Sequence, residues 1–206
     1  DYAARYHTDF HQFMLYTPIP GTPLHAELSA QGRMKDESEF EAGDIHGQLI
    51  FNYHHPHIKN DQEADFMRRA FQRDFEVNGP SIARIIRTML AGWKRYKNHP
   101  DLRVRRRVVW ECRELGTTYA AVIGGCKRYY RKNPAMRAKM DALLRDLISE
   151  FGWKARFYGH VGGLYVRWSV AREEKRLARG WTYEPPTFYD KNAAAMREPG
   201  AGGPQA

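Results

Sequence analysis

Histidines are the residues of this 206-residue sequence that most readily suggest chemistry, because seven of the nine lie within the first 57 positions. Imidazole nitrogens bind transition metals and transfer protons near neutral pH. His7 and His11 are four positions apart, but they fall where a turn and a strand are expected, and no glutamate lies between them as it does in a metallopeptidase helix. We therefore predict no metal site in this chain.

A second group of histidines is the run His54-His55-Pro56-His57. Side chains alternate between two faces of an extended chain, so His55 and His57 should lie on the same side. We predict that both face a substrate, and the alternative is that they are solvated surface residues. The two cysteines, Cys112 and Cys126, lie in separate helical patterns with neither disulfide nor metal-site spacing, and we expect both in the core.

Near the start of the chain, an apolar and aromatic run from Phe10 to Tyr16 ends abruptly in a proline-rich segment. The pattern predicts a buried strand followed by a rigid loop, because proline fixes φ and removes amide donors. Pro23 suits the first position of a short helix that continues from Leu24 to Gln31. We predict that the loop faces substrate or cofactor through Tyr16, Thr17, Pro18, Pro20, Gly21 and Thr22. The alternative is that it only positions the helix after it.

The net charge of +9 is concentrated in residues 82–137, which carry 15 basic and 3 acidic side chains. Residues 1–81 carry 7 basic and 13 acidic side chains. Arginines with interleaved aromatic residues can bind single-stranded nucleic acid. We instead expect the basic groups to be solvated or to pack against the acidic part of the chain. The groups concerned are Lys94, Arg95, Lys97, Arg103, Arg105, Arg106 and Arg107, with the aromatic residues Trp93, Tyr96, Tyr129 and Tyr130.

Helical periodicity dominates from residue 60 onward. Apolar residues from Ile82 to Trp93 recur at the spacing that forms one stripe on a helix, and further stripes follow up to Phe151. A glycine pair at 124–125 within such a stripe predicts a close helix crossing. We expect a glycine-rich break at Gly159, Gly162 and Gly163 before a last helix. The fold class is therefore mainly α.

The segment from Asp9 to Leu24, DFHQFMLYTPIPGTPL, resembles the late-barrel strand and loop of radical SAM proteins that carry a B12-binding domain. Weaker similarity lies in FNYHHP at 51–56 and GWTYEPP at 180–186. The resemblance implies three regions: residues 1–59 form the last strand and loop of a partial (β/α) radical SAM barrel, residues 60–180 a helical C-terminal subdomain, and residues 181–206 an extended or disordered tail.

In this family a [4Fe-4S] cluster, bound by a Cys-x-x-x-Cys-x-x-Cys motif, supports reductive cleavage of S-adenosylmethionine, and the cobalamin-dependent members often transfer methyl groups. The motif is absent here, so the resemblance implies a C-terminal portion of such an enzyme. This portion alone should bind neither cluster, S-adenosylmethionine nor cobalamin and should be inactive. Its partners would be the B12-binding domain and radical SAM core of the same polypeptide.

Membrane and targeting signals are not visible in the sequence. No window approaches about 18 consecutive apolar residues, and we expect a cytoplasmic protein with no membrane span. The alternative function, a standalone basic helical module that binds nucleic acid, stays open at this point, although we do not expect nucleic acid to be the partner.

Overall fold

The computed structural model describes residues 1–6, 8–39, 49–59 and 62–180. These residues divide between two compact units, Asp1–Arg167 and Trp168–Ala206. The α-helices are α1 (Pro23–Ala30), α2 (Gln62–Asn78), α3 (Ser81–Tyr96), α4 (Leu102–Glu111), α5 (Thr118–Tyr129), α6 (Pro134–Phe157) and α7 (Gly163–Leu177). The prediction of a mainly helical chain is confirmed for these residues.

Side-chain caps explain where several helices begin. The Thr22 hydroxyl accepts a hydrogen bond from the backbone N–H of His25, and Pro23 occupies the first turn of α1. Asp101 caps α4, and Asn133 caps α6 immediately before Pro134. Each cap satisfies an amide that has no partner within its helix, which fixes the boundary locally.

The main hydrophobic core is formed by α3, α5 and α6. Ile86, Ile123 and Leu147 are fully buried in it, and Leu115 joins it from the turn before α5. Cys112 is buried against the same core, as expected for an unreactive thiol, and Cys126 packs at its margin. The apolar stripes read from the sequence therefore do converge on one interior.

The predicted close helix crossing is confirmed at Gly124 and Gly125. A Cβ atom on Gly124 would lie 1.8 Å from the backbone oxygen of Gly159, and one on Gly125 would lie 2.5 Å from Cγ1 of Val166. A Cβ on Gly163 would in turn meet the backbone of Gly124 at 2.7 Å. Only glycine permits the two backbones to approach this closely.

The predicted glycine-rich break was wrong. Residues Tyr158–Gly162 form one π-helical turn that leads directly into α7, so the backbone remains helical. The real irregularity lies earlier, at Gly152, where φ is 64° and ψ is −138° inside α6. The glycines at 159, 162 and 163 serve the contact with α5 rather than ending a helix, because the crossing requires small residues on both sides.

The predicted N-terminal strand is not formed within the described residues. Phe10 to Tyr16 is extended, but no described segment makes backbone hydrogen bonds to it. The expected burial is also incorrect, because Phe10 is 63% exposed and Tyr16 is 72% exposed. A strand requires a neighbouring backbone, and the described chain supplies none here.

Residues 48–53, whose sequence predicts a second short extended segment, are only partly described. Tyr53 of this segment makes one isolated antiparallel bridge, to Met34. Several other predicted features lie wholly or partly outside the described residues: His7, residues 40–47 of the acidic, loop-like stretch 33–47 with His46, the helix cap predicted at Asn60, and the tail 181–206.

Candidate functional site

Most polar groups of the predicted substrate-facing loop are used within the loop. The Thr17 hydroxyl donates to the backbone oxygen of Leu15 at 3.1 Å, and the Thr22 hydroxyl donates to that of Ile19 at 2.7 Å. Pro18 is fully buried, and its backbone oxygen accepts a hydrogen bond from the Asn52 side chain. These contacts match the alternative interpretation, in which the loop positions α1.

The remaining loop residues are exposed. The Tyr16 side chain and Pro20 are exposed, and Gly21 adopts a φ of +87° in the turn. That φ explains why glycine stands there, since other residues rarely adopt it. The structure therefore does not gather Tyr16, Thr17, Pro20 and Gly21 into one site.

A small hydrophobic cluster holds this region together. Leu28, Phe51 and Tyr53 are buried in it. Leu15 from the extended segment and Ile58 pack against them. The cluster positions the backbone from 51 to 59 beside α1, and the predicted histidines lie on this backbone.

His54 and His55 line a small polar pocket of about 150 Å³. We call it the Glu63 pocket, because Glu63 from the first turn of α2 is its most buried charged residue, at 4% exposure. The lining residues are Lys35, Phe51, Tyr53, His54, His55, Ile58, Lys59 and Glu63.

The orientation of His55 follows from its backbone contacts. Its Nδ1 atom accepts hydrogen bonds from the amides of His57 and Ile58, at 3.2 and 2.9 Å. A neutral imidazole accepting at Nδ1 carries its proton on Nε2. The His55 ring also stacks on Phe51, with centroids 5.1 Å apart. His55 therefore has a fixed ring and one free N–H donor.

His57 lies beside His55 but not in the pocket. The two rings are edge to face at 6.2 Å, which agrees with the predicted common side. His57 is exposed and does not line the pocket. Of the two histidines predicted to face a substrate, His55 lines the pocket. No pattern in the sequence indicates Lys35 and Glu63, which come from segments far apart in the chain.

Tyr53 adds a hydroxyl group to the pocket wall. Burial raises the pKa of Tyr53 despite the opposing charge of Arg33. The phenol is therefore protonated at neutral pH and can donate or accept a hydrogen bond. Its ring lies 5.1 Å from that of Phe51, which gives the pocket an aromatic wall.

A buried ionic network lies at the junction of α2 and α3. Asp74 accepts hydrogen bonds from Arg84 at 2.9 Å and from Asn78 at 2.8 Å. His11 Nδ1 lies 2.8 Å from the same carboxyl group. Both Asp74 oxygens accept hydrogen bonds within this network, although the buried Nε of Arg84 has no partner among the described residues. The network therefore links the extended segment to α2 and α3.

The basic surface centres on α4. Arg103 pairs with Asp101, and Arg107 pairs with Glu111, both within the helix region. Arg105 and Arg106 are exposed. Within the described residues, these arginines form no ion pair with the acidic part of the chain, which favours the solvated interpretation over intramolecular pairing.

Of the aromatic residues near this surface, Trp110 on α4 is 65% exposed, whereas Trp93 and Tyr130 are engaged by other side chains. Trp93 packs on Phe151 and donates to Glu150 at 2.9 Å. Tyr130 packs against Phe75, and Tyr129 lies edge to face with Tyr130. Stacking platforms need exposed ring faces beside the basic groups, and Trp93 is engaged by the core instead.

A larger apolar groove of about 740 Å³ runs between α3 and α4. Its walls include Met89, Val108 and Trp110. Of its three charged residues, Arg107 and Glu111 pair with each other, and Arg113 lies over the Trp110 ring. Burial raises the pKa of the Cys112 thiol at its base, so this cysteine is not an activated nucleophile.

The residues present do not fit the iron–sulfur cluster that the resemblance implies. The cluster motif requires three thiolates, and the sequence contains two cysteines, Cys112 and Cys126. Nor do three or more His, Cys, Asp or Glu side chains gather as a metal site in the described ranges. Cluster ligation cannot be assigned to this chain.

Within the described residues, the helices are all too short or too polar to span a bilayer. No protein-family model, no curated protein and no solved structure matches this chain.

Proposed function

We propose that this chain is the C-terminal portion of a cobalamin-type radical SAM enzyme, in which residues 8–18 complete one edge of the barrel. The proposal rests on the resemblance of residues 9–24 to the late-barrel strand and loop of that family. It assigns the chain a supporting role, because the cluster-binding cysteines lie elsewhere in such an enzyme.

The observation that carries the proposal is the two-sided character of the extended segment. His11, Phe13 and Leu15 face the protein. Phe10, Met14 and Tyr16 lie on the opposite side of the segment and are exposed. Side chains that alternate in this way are typical of a strand whose two faces have different environments. The outer face carries three large side chains, Phe10, Met14 and Tyr16, with the polar Gln12 between the first two. Exposed apolar groups of this size favour a second covering layer.

The backbone of the same segment supports the proposal independently of its side chains. Phe10 to Thr17 makes no backbone hydrogen bond with any other described segment. An extended backbone with free N–H and C=O groups is a template for pairing with another strand. A neighbouring barrel strand would satisfy these groups and would cover Phe10, Met14 and Tyr16.

Contacts with α2 and with the cluster around Leu28 also hold the extended segment in place. Phe13 packs edge to face on Phe71 of α2 at 5.1 Å, and His11 contacts Asp74. Leu15 joins the cluster around Leu28. In the proposed enzyme, the chain would supply this edge and the helical subdomain behind it, while the radical chemistry would be supported by cofactors bound elsewhere.

A basic nucleic-acid-binding module is the second candidate, and the exposed Arg105 and Arg106 favour it. Phosphate binding by such groups would give an affinity that falls steeply with salt. Trp93 is occupied by Glu150 and Phe151, which removes one of the aromatic residues that such a module would need. Weak binding of a labelled single-stranded oligonucleotide at physiological salt would exclude this candidate.

The test of the main proposal is to determine the coding DNA upstream of Asp1 in the same reading frame. We expect a Cys-x-x-x-Cys-x-x-Cys motif preceded by a βαβ-type domain. A start codon at or just before Asp1 would overturn the proposal. In the longer protein, amide exchange at Phe10 to Tyr16 should be slow, whereas it should be fast in the 206-residue chain.

A further inference from the structure

We propose that a basic pocket between α5, the start of α6 and the start of α7 binds the diphosphate or triphosphate group of a small molecule. The pocket has a volume of about 340 Å³, and we call it the Arg167 pocket. All of its lining residues lie within the unit Asp1–Arg167. Five of them are cationic and one is apolar, namely Lys127, Arg128, Arg131, Arg137, Arg167 and Leu164.

Three separate segments bring these cations together. Lys127, Arg128 and Arg131 lie at the end of α5 and in the 3₁₀ turn that follows it. Arg137 lies near the N-terminus of α6, and Arg167 lies one turn into α7. The dipole of α5 favours cations at its C-terminus, but a helix N-terminus disfavours the positive charge of Arg137. Helix dipoles alone therefore do not explain why these charges gather.

The described residues supply little negative charge to balance the pocket. Lys127 pairs with Asp141 at 2.5 Å. The hydrogen bond from Lys127 lowers the pKa of Asp141 most, and the charge of Arg137 contributes, so one carboxylate serves two cations. The other three arginines of the pocket form no ion pair with any described residue. An anionic ligand would relieve the repulsion among these like charges.

The observation that points to a ligand is an unsatisfied donor on Arg167. Its Nη1 atom is buried and has no hydrogen-bond partner among the described residues. The guanidinium carbon lies 5.4 Å from the centre of the Tyr129 ring, which attracts the cation but supplies no acceptor oxygen. A buried polar group without a partner is unfavourable. An anion in the adjoining pocket would provide the guanidinium group with a counter-charge and with acceptors.

Arg128 is held in place by the close crossing of α5. Its Nη1 donates to the backbone oxygen of Gly124 at 3.0 Å, and its Nη2 donates to that of His160 at 3.1 Å. Both acceptors are uncharged, so the positive charge of Arg128 remains available at the pocket wall. A side chain that is already ordered loses little conformational freedom when a ligand binds.

The number of cations selects the class of anion. Five cations beside one carboxylate favour a ligand with about three or four negative charges, as linked phosphate groups carry near neutral pH. Guanidinium groups also match phosphate oxygens, because they donate two parallel hydrogen bonds. A single phosphate or carboxylate group would leave several of the cations unpaired.

The size and lining of the pocket favour a small molecule over a nucleic-acid strand. Its volume of about 340 Å³ lies within the range of about 300–1,000 Å³ that is typical of small-molecule pockets. Proteins that bind single-stranded nucleic acid stack the bases on aromatic rings. None of the described residues that line this pocket is aromatic. Leu164 and the alkyl parts of the basic side chains can instead pack against the organic part of a ligand.

The experiment is calorimetric titration of the 206-residue chain with pyrophosphate, triphosphate and ADP, and with phosphate and adenosine as compounds that lack linked phosphate groups. We expect the first three to bind about 10-fold more tightly than phosphate or better, because they reach more of the charged donors. Adenosine should not bind. Arg131→Gln and Arg167→Gln should each weaken pyrophosphate binding about 10-fold, as expected for loss of a charged hydrogen-bonding partner.

The matched control is Arg105→Gln, which removes the same charge from an exposed position on α4 outside the pocket lining. It should change pyrophosphate affinity by less than about 2-fold, because salt screens distant surface charges. Arg131 is also exposed, so Arg131→Gln should fold normally. This variant keeps the test decisive even if Arg167→Gln unfolds.

Three results would overturn the inference. These are no binding of pyrophosphate, triphosphate or ADP, binding of phosphate as tight as that of pyrophosphate, and equal weakening by Arg105→Gln and Arg131→Gln. If a single-stranded oligonucleotide binds through Arg131 and Arg167 while pyrophosphate does not bind, the pocket belongs to a nucleic-acid surface instead. None of these results bears on the barrel proposal, which is tested by the upstream coding sequence. Conversely, a start codon at Asp1 would leave the pocket inference intact.

Discussion

His11 and Asp74 are 63 positions apart in the sequence, yet His11 Nδ1 lies 2.8 Å from Asp74 Oδ1. The Asp74 carboxyl group also accepts from Arg84 and Asn78, and Asn78 donates to the backbone oxygen of Ala4. One buried carboxyl group therefore links the N-terminal segment to both α2 and α3. Much of the fixed position of that segment depends on this network.

Replacing the carboxyl group should destabilise the protein strongly. Asp74→Asn leaves the 8%-exposed Arg84 side chain without its counter-charge, and we expect a loss of about 3–5 kcal/mol in the free energy of unfolding. Urea denaturation followed by circular dichroism measures it. Asp65→Asn on the same helix, at a 67%-exposed position, should change the free energy by less than about 0.5 kcal/mol. Equal effects of the two changes would contradict the prediction.

The same carboxyl group should make stability depend on acidic pH. Burial opposes ionisation of Asp74, but hydrogen bonds from Asn78, His11 and Arg84 outweigh it and lower its pKa below the ordinary 3.8. Because the folded-state pKa is the lower one, the stabilisation is present above pH 3.8 and is lost as pH falls through the folded value. Urea midpoints measured from about pH 6 down to about pH 2 should fall less steeply in Asp74→Asn than in the unchanged protein. If the urea midpoints of the two proteins fall equally steeply with pH, the stabilisation is not due to the Asp74 carboxyl group.

The crossing of α5 should tolerate no side chain at Gly124. Gly124→Ala places a Cβ 1.8 Å from a backbone oxygen, which no rotamer change relieves, and should cost about 3 kcal/mol or more. Gly92→Ala in α3 is the control, because nothing lies within 4 Å of its Cβ position. Alanine is the better helix former, so this change should raise stability by about 0.5–1 kcal/mol. Thermal unfolding should show a lower melting temperature for Gly124→Ala and a higher one for Gly92→Ala. An unchanged melting temperature in Gly124→Ala would contradict the close contact between Gly124 and Gly159.

The two faces of the extended segment should respond differently to truncation. Leu15→Ala removes contacts with the cluster around Leu28 and should cost about 1–2 kcal/mol. Tyr16→Ala changes a 72%-exposed side chain and should stay within about 0.5 kcal/mol in the 206-residue chain. Chemical denaturation of both variants makes the comparison. A large effect of Tyr16→Ala would show that its outer face is already covered in this chain.

The helices could be predicted from local patterns because their signals are local. The apolar stripe from Ile82 to Trp93 anticipates α3, and Thr22 and Asn133 cap helices that begin one residue later. Periodicity and caps lie within one or two turns of each other, so no tertiary information is needed. The glycine pair at 124–125 also predicted its crossing correctly, since glycine inside a helix requires a packing reason.

The site was less accessible to sequence reasoning. The composition of the Pro-Gly-rich loop predicts a ligand-facing segment, yet Thr17 and Thr22 use their hydroxyls within the loop. The glycines at 159–163 predict a helix break, although the same composition also suits a close helix contact. Composition limits the conformations that a backbone can adopt, but contacts with neighbouring segments determine which of them forms.

The sequence by itself determined the helical character of residues 62–177 and the helix starts at capping residues. It did not determine the environment of Phe10 to Tyr16, which was predicted to be buried but has an exposed face. Only the tertiary structure decided that His55 shares a pocket with Lys35 and Glu63, and that His11 contacts Asp74. The physical reason is the distance along the chain over which each feature is determined. Caps and stripes depend on residues within a few positions, whereas pockets and buried ion pairs depend on packing between segments that are far apart in the chain.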